Sequence, residues 1–228
     1  MQSLNADLHC HSNVSDGTLT PEEVAARAHR NGVELWSLTD HDEIGGQERA
    51  RDAAHRLGTS YLSGSEISVT LAGRTGHIVG VHGAFEGALK YVGNPDLISR
   101  THFARYMVEI GVCKELSDVF KRYLTEGKPG YVEHRWAKLS DAVRWITEAG
   151  GVAVIAHPGR YDLTPNEEFA LFAEFKALGG LGVEVVTGSH TVPEYQKYAD
   201  LACELDLLAS RGSDFHDPKE SHTDLGTL

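Results

Sequence analysis

Along this chain a short β-branched or leucine-rich run recurs, followed by a turn bearing histidine or carboxylate and then a segment of helical period. Leu4 and Leu8 flank the first run, and Ser12-Asn13-Val14-Ser15-Asp16-Gly17 after it is turn chemistry. Thr20-Pro21-Glu22-Glu23 starts a helix, with Thr20 as N-cap and proline at the first helical position; Val24, Ala25 and Ala28 continue it and Gly32 closes it. Val33 to Thr39 predicts a strand, Gly46 to Leu57 a helix ended by Gly58, and Tyr61-Leu62, Gly64 to Val69 and Gly76 to Val81 further extended runs. After the middle of the chain the alternation returns. Helices are predicted over Asp141 to Ala149, Glu167 to Leu178 and Pro193 to Asp206, with strands Val152 to Ala156, Gly182 to Val186 and Leu207 to Ser210. Such alternation predicts an α/β architecture with a parallel sheet.

The segment 86–135 breaks this rhythm. Ile98 to Ile110 and Leu116 to Leu124 have helical period, Gly127-Lys128-Pro129-Gly130 is a breaker, and no buried strand stands out. We read it as a helical insertion over the mouth of a barrel whose two parts are residues 1–85 and 136–228.

The residues at the strand ends change the picture from fold to chemistry. His9 and His11 are separated by one residue, so on an extended backbone they share a face and can share an ion, while Cys10 points away into the core. Asp16 comes next as a hard oxygen donor, and imidazole with carboxylate suits zinc, manganese or iron rather than calcium. Asp40-His41-Asp42, Glu66, His77, His157 with Pro158-Gly159-Arg160, and Asp214 with His216 stand at the other strand ends. Each has an ordinary reading by itself: His77 as a core histidine, Asp40 to Asp42 as a cap region, Ser213-Asp214 as a turn. Those readings would all have to hold at once, across six strand ends. A barrel collects its strand ends on one face, and nine donors exceed what one first-row ion takes, so two or three divalent ions are expected, with Glu66 as the natural bridge.

Composition narrows the surroundings. At 228 residues with a net charge of −12, the chain can bury a sizeable core and lacks the basic surface that duplex DNA requires. Three cysteines, Cys10, Cys113 and Cys203, with no Cys-x-x-Cys spacing, suggest neither a disulfide framework nor a thiolate zinc site, and fit a reducing cytoplasm. No basic-then-apolar leader and no membrane-length apolar run is present, so no membrane partner is expected.

The ordered set His9-x-His11 with Asp16, Thr39 to Asp42, Gly64 to Glu66, Gly76 to Ile78, Ala156 to Pro158 and Ser213 to His216 resembles the polymerase and histidinol phosphatase (PHP) family of metal-dependent phosphoesterases. That resemblance implies a distorted (β/α)7 barrel and a trinuclear centre. It implies one ion on His9, His11, Glu66 and Asp214; a second on Glu66, His77 and His157; and a third on Asp16, His41 and His216, with Mn2+ expected and Fe2+ or Zn2+ as alternatives. Ser99 to Arg105, Tyr131-Val132, Trp136 and His157 to Arg160 are similar to a bacterial subgroup of nucleoside 3′,5′-bisphosphate phosphatases, some of which trim short RNA from the 5′ end. Between Val81 and Glu86 and after Gly226 the chain is shorter than that subgroup usually is.

The expected chemistry is hydrolysis of a 3′-phosphate by a hydroxide generated between bridged ions, with Arg100 and Arg160 as phosphate forks and adenosine 3′,5′-bisphosphate as the model substrate. Besides Glu66, Asp42 and His190 are the candidates for catalytic acid–base help. Rival readings are a phosphatase of another small phosphoester such as a histidinol phosphate-like compound, an amidohydrolase-type enzyme cutting C–N bonds, and a non-enzymatic metal-binding module of a polymerase assembly.

Overall fold

The computed structural model of the protein describes residues 4–71, 74–81, 104, 107, 108, 111–125, 128 and 136–228. Chain order runs β1 (Ala6–Asp7), α1 (Pro21–Arg30), β2 (Leu35–Leu38), α2 (Gln47–Leu57), β3 (Ser60–Leu71) and β4 (Arg74–Val81). Next come α3 (Leu116–Val119), which runs into a π-turn over Phe120–Leu124, then β5 (Ala137–Lys138), α4 (Leu139–Glu148), β6 (Val152–Ile155) and α5 (Pro165–Ala177). Strand β7 (Gly182–Thr187), α6 (Val192–Glu204) and β8 (Leu208–Gly212) complete the order.

Local sequence sets the helix starts. Thr20 and Glu23 satisfy each other's backbone N–H groups at the head of α1, with Pro21 in the first turn. Thr164 and Glu167 repeat that box at α5, and Glu194 accepts the Thr191 N–H at α6. Helices α5 and α6 therefore begin earlier than the apolar period suggests, at Pro165 and Val192 instead of Glu167 and Pro193.

The sheet runs β1-β2-β3-β4-β6-β7-β8, with β5 attached to β3. Its two ends meet: Leu8 N–H donates to Arg211 O at 3.1 Å, Asp214 N–H to His9 O at 2.8 Å and His11 N–H to Phe215 O at 2.8 Å. The result is a nearly closed barrel. Gly212 allows this approach, since a Cβ there would lie 2.3 Å from His9 Cβ.

One expectation of the sequence is corrected. The sheet is not parallel throughout, because β4 runs antiparallel to both β3 and β6. Only two residues separate β3 from β4, and a parallel neighbour needs a crossover of roughly a dozen or more. Gly64 to Val69 is likewise not a separate strand but the middle of the 12-residue β3, so Glu66 sits within a strand and not at its end.

Two apolar clusters cover the barrel. Leu139, Ala142, Val143 and Ile146 of α4 pack with Phe172 and Phe175 of α5 on Ile78, Ile155 and Val183 of the sheet. On the other flank, Val24, Ala25 and Ala28 of α1 and Ala50, Ala53 and Ala54 of α2 enclose Trp36 and Leu38, together with Cys10 and Phe215. Cys10 does turn into the core, its sulfur accepting from Trp36 Nε1 at 3.1 Å. The helical period at Leu116 to Leu124 is realised, with Val119 and Leu124 in a small cluster that includes Ala104 and Cys113. Most of the segment 86–135, including most of the helix expected at Ile98 to Ile110, lies outside the described residues.

Candidate metal centre

All nine side chains singled out by pattern converge. His9 and His11 follow β1, His41 follows β2, His157 follows β6, and Asp214 and His216 follow β8. Because β4 is antiparallel, His77 in its first half lies beside Ser68 of β3, at the end where the parallel strands finish. A lone bridge pairs His41 with Glu66.

Glu66 is at the centre and divides its two oxygens. Oε2 lies 3.1 Å from His9 Nε2, 3.3 Å from His11 Nε2 and 3.1 Å from His41 Nδ1. Oε1 lies 2.9 Å from His157 Nε2 and 3.5 Å from His77 Nδ1. Asp214 Oδ1 closes the first group, at 3.6 Å from His9 Nε2 and 3.4 Å from His11 Nε2. Asp16 collects the rim, with Oδ1 3.3 Å from His216 Nε2 and Oδ2 3.9 Å from His41 Nε2. His41 thus faces the bridging carboxylate with one nitrogen and Asp16 with the other.

Electrostatics treat the members of the cluster differently. Burial opposes charge on His11, but the Asp214 and Glu66 carboxylates outweigh it and push its pKa up to about 10. Burial would likewise raise Glu66, yet His41, His9 and His77 hold it well below the usual carboxylate range. At His77 burial prevails over Glu66, and the pKa falls to about 3.

The donor set fits divalent metal. His11 Nδ1, His77 Nδ1 and Glu66 Oε2 are buried without a hydrogen bond among the described residues. His9 and His11 turn their Nε2 atoms on each other at 3.1 Å. Imidazole and carboxylate lone pairs so arranged repel unless a cation lies among them, and their mixture of nitrogen and hard oxygen suits first-row ions. Among the described residues, four sets of three or four donor atoms lie within 4.8 Å of one another, including His11 with Asp16, His41 and His216.

Several residues support the site in ways that the sequence reading did not assign. Glu184, buried on β7, takes His9 Nδ1 at 2.8 Å and the His157 backbone N–H at 2.7 Å. Tyr161 OH donates to His77 O at 3.1 Å and accepts from His77 N–H at 2.8 Å, fixing that stretch of β4. Asp40 accepts from Ser12 N–H and Ser15 Oγ, both at 2.7 Å, and so holds the turn leading to Asp16. Asp7 accepts from Ser213 N–H at 2.9 Å and anchors the loop that carries Asp214. Backbone strain gathers here too: His157, Asp42 and Asp214 have φ of 25°, 49° and 54°.

The remaining candidates divide. Arg160 stands at the rim, its guanidinium 2.9 Å from Asp214 Oδ2, on the oxygen that does not face the histidines. Asp42 places both oxygens on Ser68, at 2.8 Å from its N–H and 2.6 Å from its Oγ. His190 accepts the Gly159 N–H at Nε2 (3.0 Å) and donates from Nδ1 to Val185 O (3.1 Å), which occupies both ring nitrogens and steadies the Pro158–Arg160 turn. Arg100 lies outside the described residues.

A nearly closed barrel with six imidazoles and three carboxylates drawn to one end defines a PHP-type protein, and the chain belongs to the PHP domain family, whose model matches residues 7–149. It is similar to the 3′,5′-nucleoside bisphosphate phosphatase of Chromobacterium violaceum, at 45% identity over 97% of this chain and 90% of that protein. It is also similar to the 5′-3′ exoribonuclease of Haemophilus influenzae, at 38% identity over 93% of this chain and 90% of that one. Among solved structures, an amidohydrolase from Chromobacterium violaceum with bound sulfate and no metal superimposes with a TM-score of 0.87, at 45% identity, covering 95% of this chain and 89% of that chain.

Proposed function

We propose that the protein is a metal-dependent phosphoesterase that removes the 3′-phosphate from nucleoside 3′,5′-bisphosphates. The observation that carries this reading is the division of Glu66, one oxygen toward His9 and His11 and the other toward His77 and His157. A carboxylate so placed could be shared by two cations. His9, His11, Glu66 and Asp214 would hold one ion, Glu66, His77 and His157 a second, and Asp16, His41 and His216 a third, with Mn2+ the expected metal and Fe2+ or Zn2+ the alternatives. Such ions make bound water acidic near neutral pH and draw charge from a phosphoryl group.

The chain's own residues do the rest. Arg160 can turn from Asp214 to a substrate phosphate at little cost, being half exposed at the rim. Arg100 is the proposed second fork. Asp42 and His190 act through position, Asp42 by holding Ser68 opposite His77 and His190 by holding the Arg160 turn. The substrate class rests on the bisphosphate phosphatase relative, and trimming of short RNA ends from the 5′ side is a second reading favoured by the exoribonuclease relative. Among the described residues no helix is long and apolar enough to cross a membrane, and Cys10, Cys113 and Cys203 are free thiols. The cytoplasm is the compartment we assign on that chemistry.

The test compares kcat/KM for adenosine 3′,5′-bisphosphate, adenosine 3′-monophosphate and a chromogenic amide. The expected order is bisphosphate well above monophosphate, with adenosine 5′-monophosphate as product and no amide cleavage. Equal rates on the two nucleotides would sink the substrate assignment, and amide turnover would sink the phosphoesterase.

A further inference from the structure

Glu184 is a carboxylate that the proposed reaction does not itself use, yet it touches the ligand sets of two proposed ions. Strand alternation puts Val183 and Val185 into the core beneath the helices and turns Glu184 the other way. A bulge comes at once, since Glu184 pairs with Ser210 and Val186 with the very next residue, Arg211. Bulges re-aim side chains and recur beside active sites. Here the bulge leaves Glu184 buried, with Oε1 at His9 Nδ1 and Oε2 at the backbone N–H of His157.

We infer that Glu184 is a positioning residue that couples the first two metal sites: it fixes the His9 ring with Nε2 free for one ion while holding the His157 backbone in register for the other. This rests on the proposed metal centre. With Nδ1–H donated to a carboxylate, the lone pair of His9 must stand on Nε2, the atom that faces His11, Glu66 and Asp214. His157, at a φ of 25°, occupies a conformation its own backbone disfavours, and the Glu184 oxygen is what its N–H finds there. Both contacts are donors seeking an acceptor, and only a carboxylate offers two.

Glu184→Gln separates this role from simple packing, because the amide has the same shape but one acceptor and one donor. If its oxygen keeps the His157 N–H, its NH2 faces His9 Nδ1 and drives the ring proton to Nε2, where the ion should bind. If it turns over, the NH2 opposes the His157 N–H and that backbone shifts. Either way one ion loses a ligand. Val183→Ala, a buried core truncation on the same strand, serves as the control for mere loss of stability.

The experiment titrates Mn2+ into metal-stripped parent, Glu184→Gln and Val183→Ala by calorimetry, and records thermal melting of all three in chelator. Expected are two or more ions bound by the parent, about a 10–100-fold weakening of at least one of them in Glu184→Gln, and parent-like Mn2+ affinity in Val183→Ala despite a lowered melting temperature. Parent-like Mn2+ affinity in folded Glu184→Gln would overturn the coupling role and leave the metal centre standing. Equal weakening in Val183→Ala would also overturn it, by reducing the effect to stability. A parent that binds no Mn2+ would overturn the metal centre and this inference with it.

Discussion

The inner and outer halves of the histidine cluster are built differently. His9, His11 and His157 expose 0, 0 and 3% of their side-chain surface, whereas His41 and His216 at the rim expose 23 and 22%. His9 and His11 stand where the first and last strands meet, and His9 is fixed by Glu184. The outer ligands depend on looser supports: His216 Nδ1 contacts Asp214 O of its own loop at 2.9 Å, and His41 is shared between Glu66 and Asp16. Buried, pre-oriented donors bind an ion without first being ordered, and exposed donors compete with water. Of the ions proposed above, the inner ones should therefore be retained and the rim one should exchange.

Glu66→Gln should break this difference most severely, because it removes the carboxylate that we propose the two inner ions share. Activity should fall by more than about 100-fold, beyond the range expected for supporting residues, and at least one ion should be lost on dialysis. Retention of full metal and full rate would refute the bridge.

Arg160→Ala probes the exposed side alone. Each charge-assisted fork is worth on the order of 1.5–3 kcal/mol. Steady-state kinetics should show kcat/KM for the bisphosphate falling about ten- to a hundredfold, with a smaller fall for the monophosphate. An unchanged ratio between the two would deny Arg160 its phosphate.

Asp16→Asn should weaken only the rim site. A loss on the order of tenfold is expected at low Mn2+, restored by raising Mn2+ toward saturation. Failure of added metal to restore turnover would mean that Asp16 serves the inner ions as well.

The smallest effect is in stability against pH. In chelator, His11 has a pKa raised to about 10 against an ordinary value of 6.5, so its contribution is full below pH 6.5 and lost as pH rises through about 10. His9, also raised, acts in the same direction. With Mn2+ present the sign reverses near neutrality, because ions compete with those protons and bind better as pH rises. Melting curves at pH 6.5 and 9, with and without Mn2+, check both signs, and a melting temperature that rises with pH in chelator would contradict the electrostatic picture.

The donors were legible in the sequence because each is a chemically costly residue in a short local frame, as in His9-x-His11 or Ser213-Asp214-Phe215-His216. Their supports were not. Glu184 reads as an alternating strand residue, Asp7 as part of the first extended run and Asp40 as part of the Asp40 to Asp42 cluster, and only tertiary pairing reveals their partners. Strand direction was hidden as well, since the alternation from Gly76 to Val81 is the same in either sense. The six residues between the runs Gly64 to Val69 and Gly76 to Val81 were the available signal, too few for the crossover that a parallel pair needs. Asp42 and His190 were read as acid–base candidates by residue type, whereas their contacts with Ser68, Gly159 and Val185 appear only in the folded chain.

Elemental analysis of the purified protein tests the central claim most directly. About two to three equivalents of manganese, iron or zinc per chain are expected from six imidazoles and three carboxylates in this arrangement. Fewer than one equivalent, with no phosphoesterase activity on adding Mn2+, would contradict it.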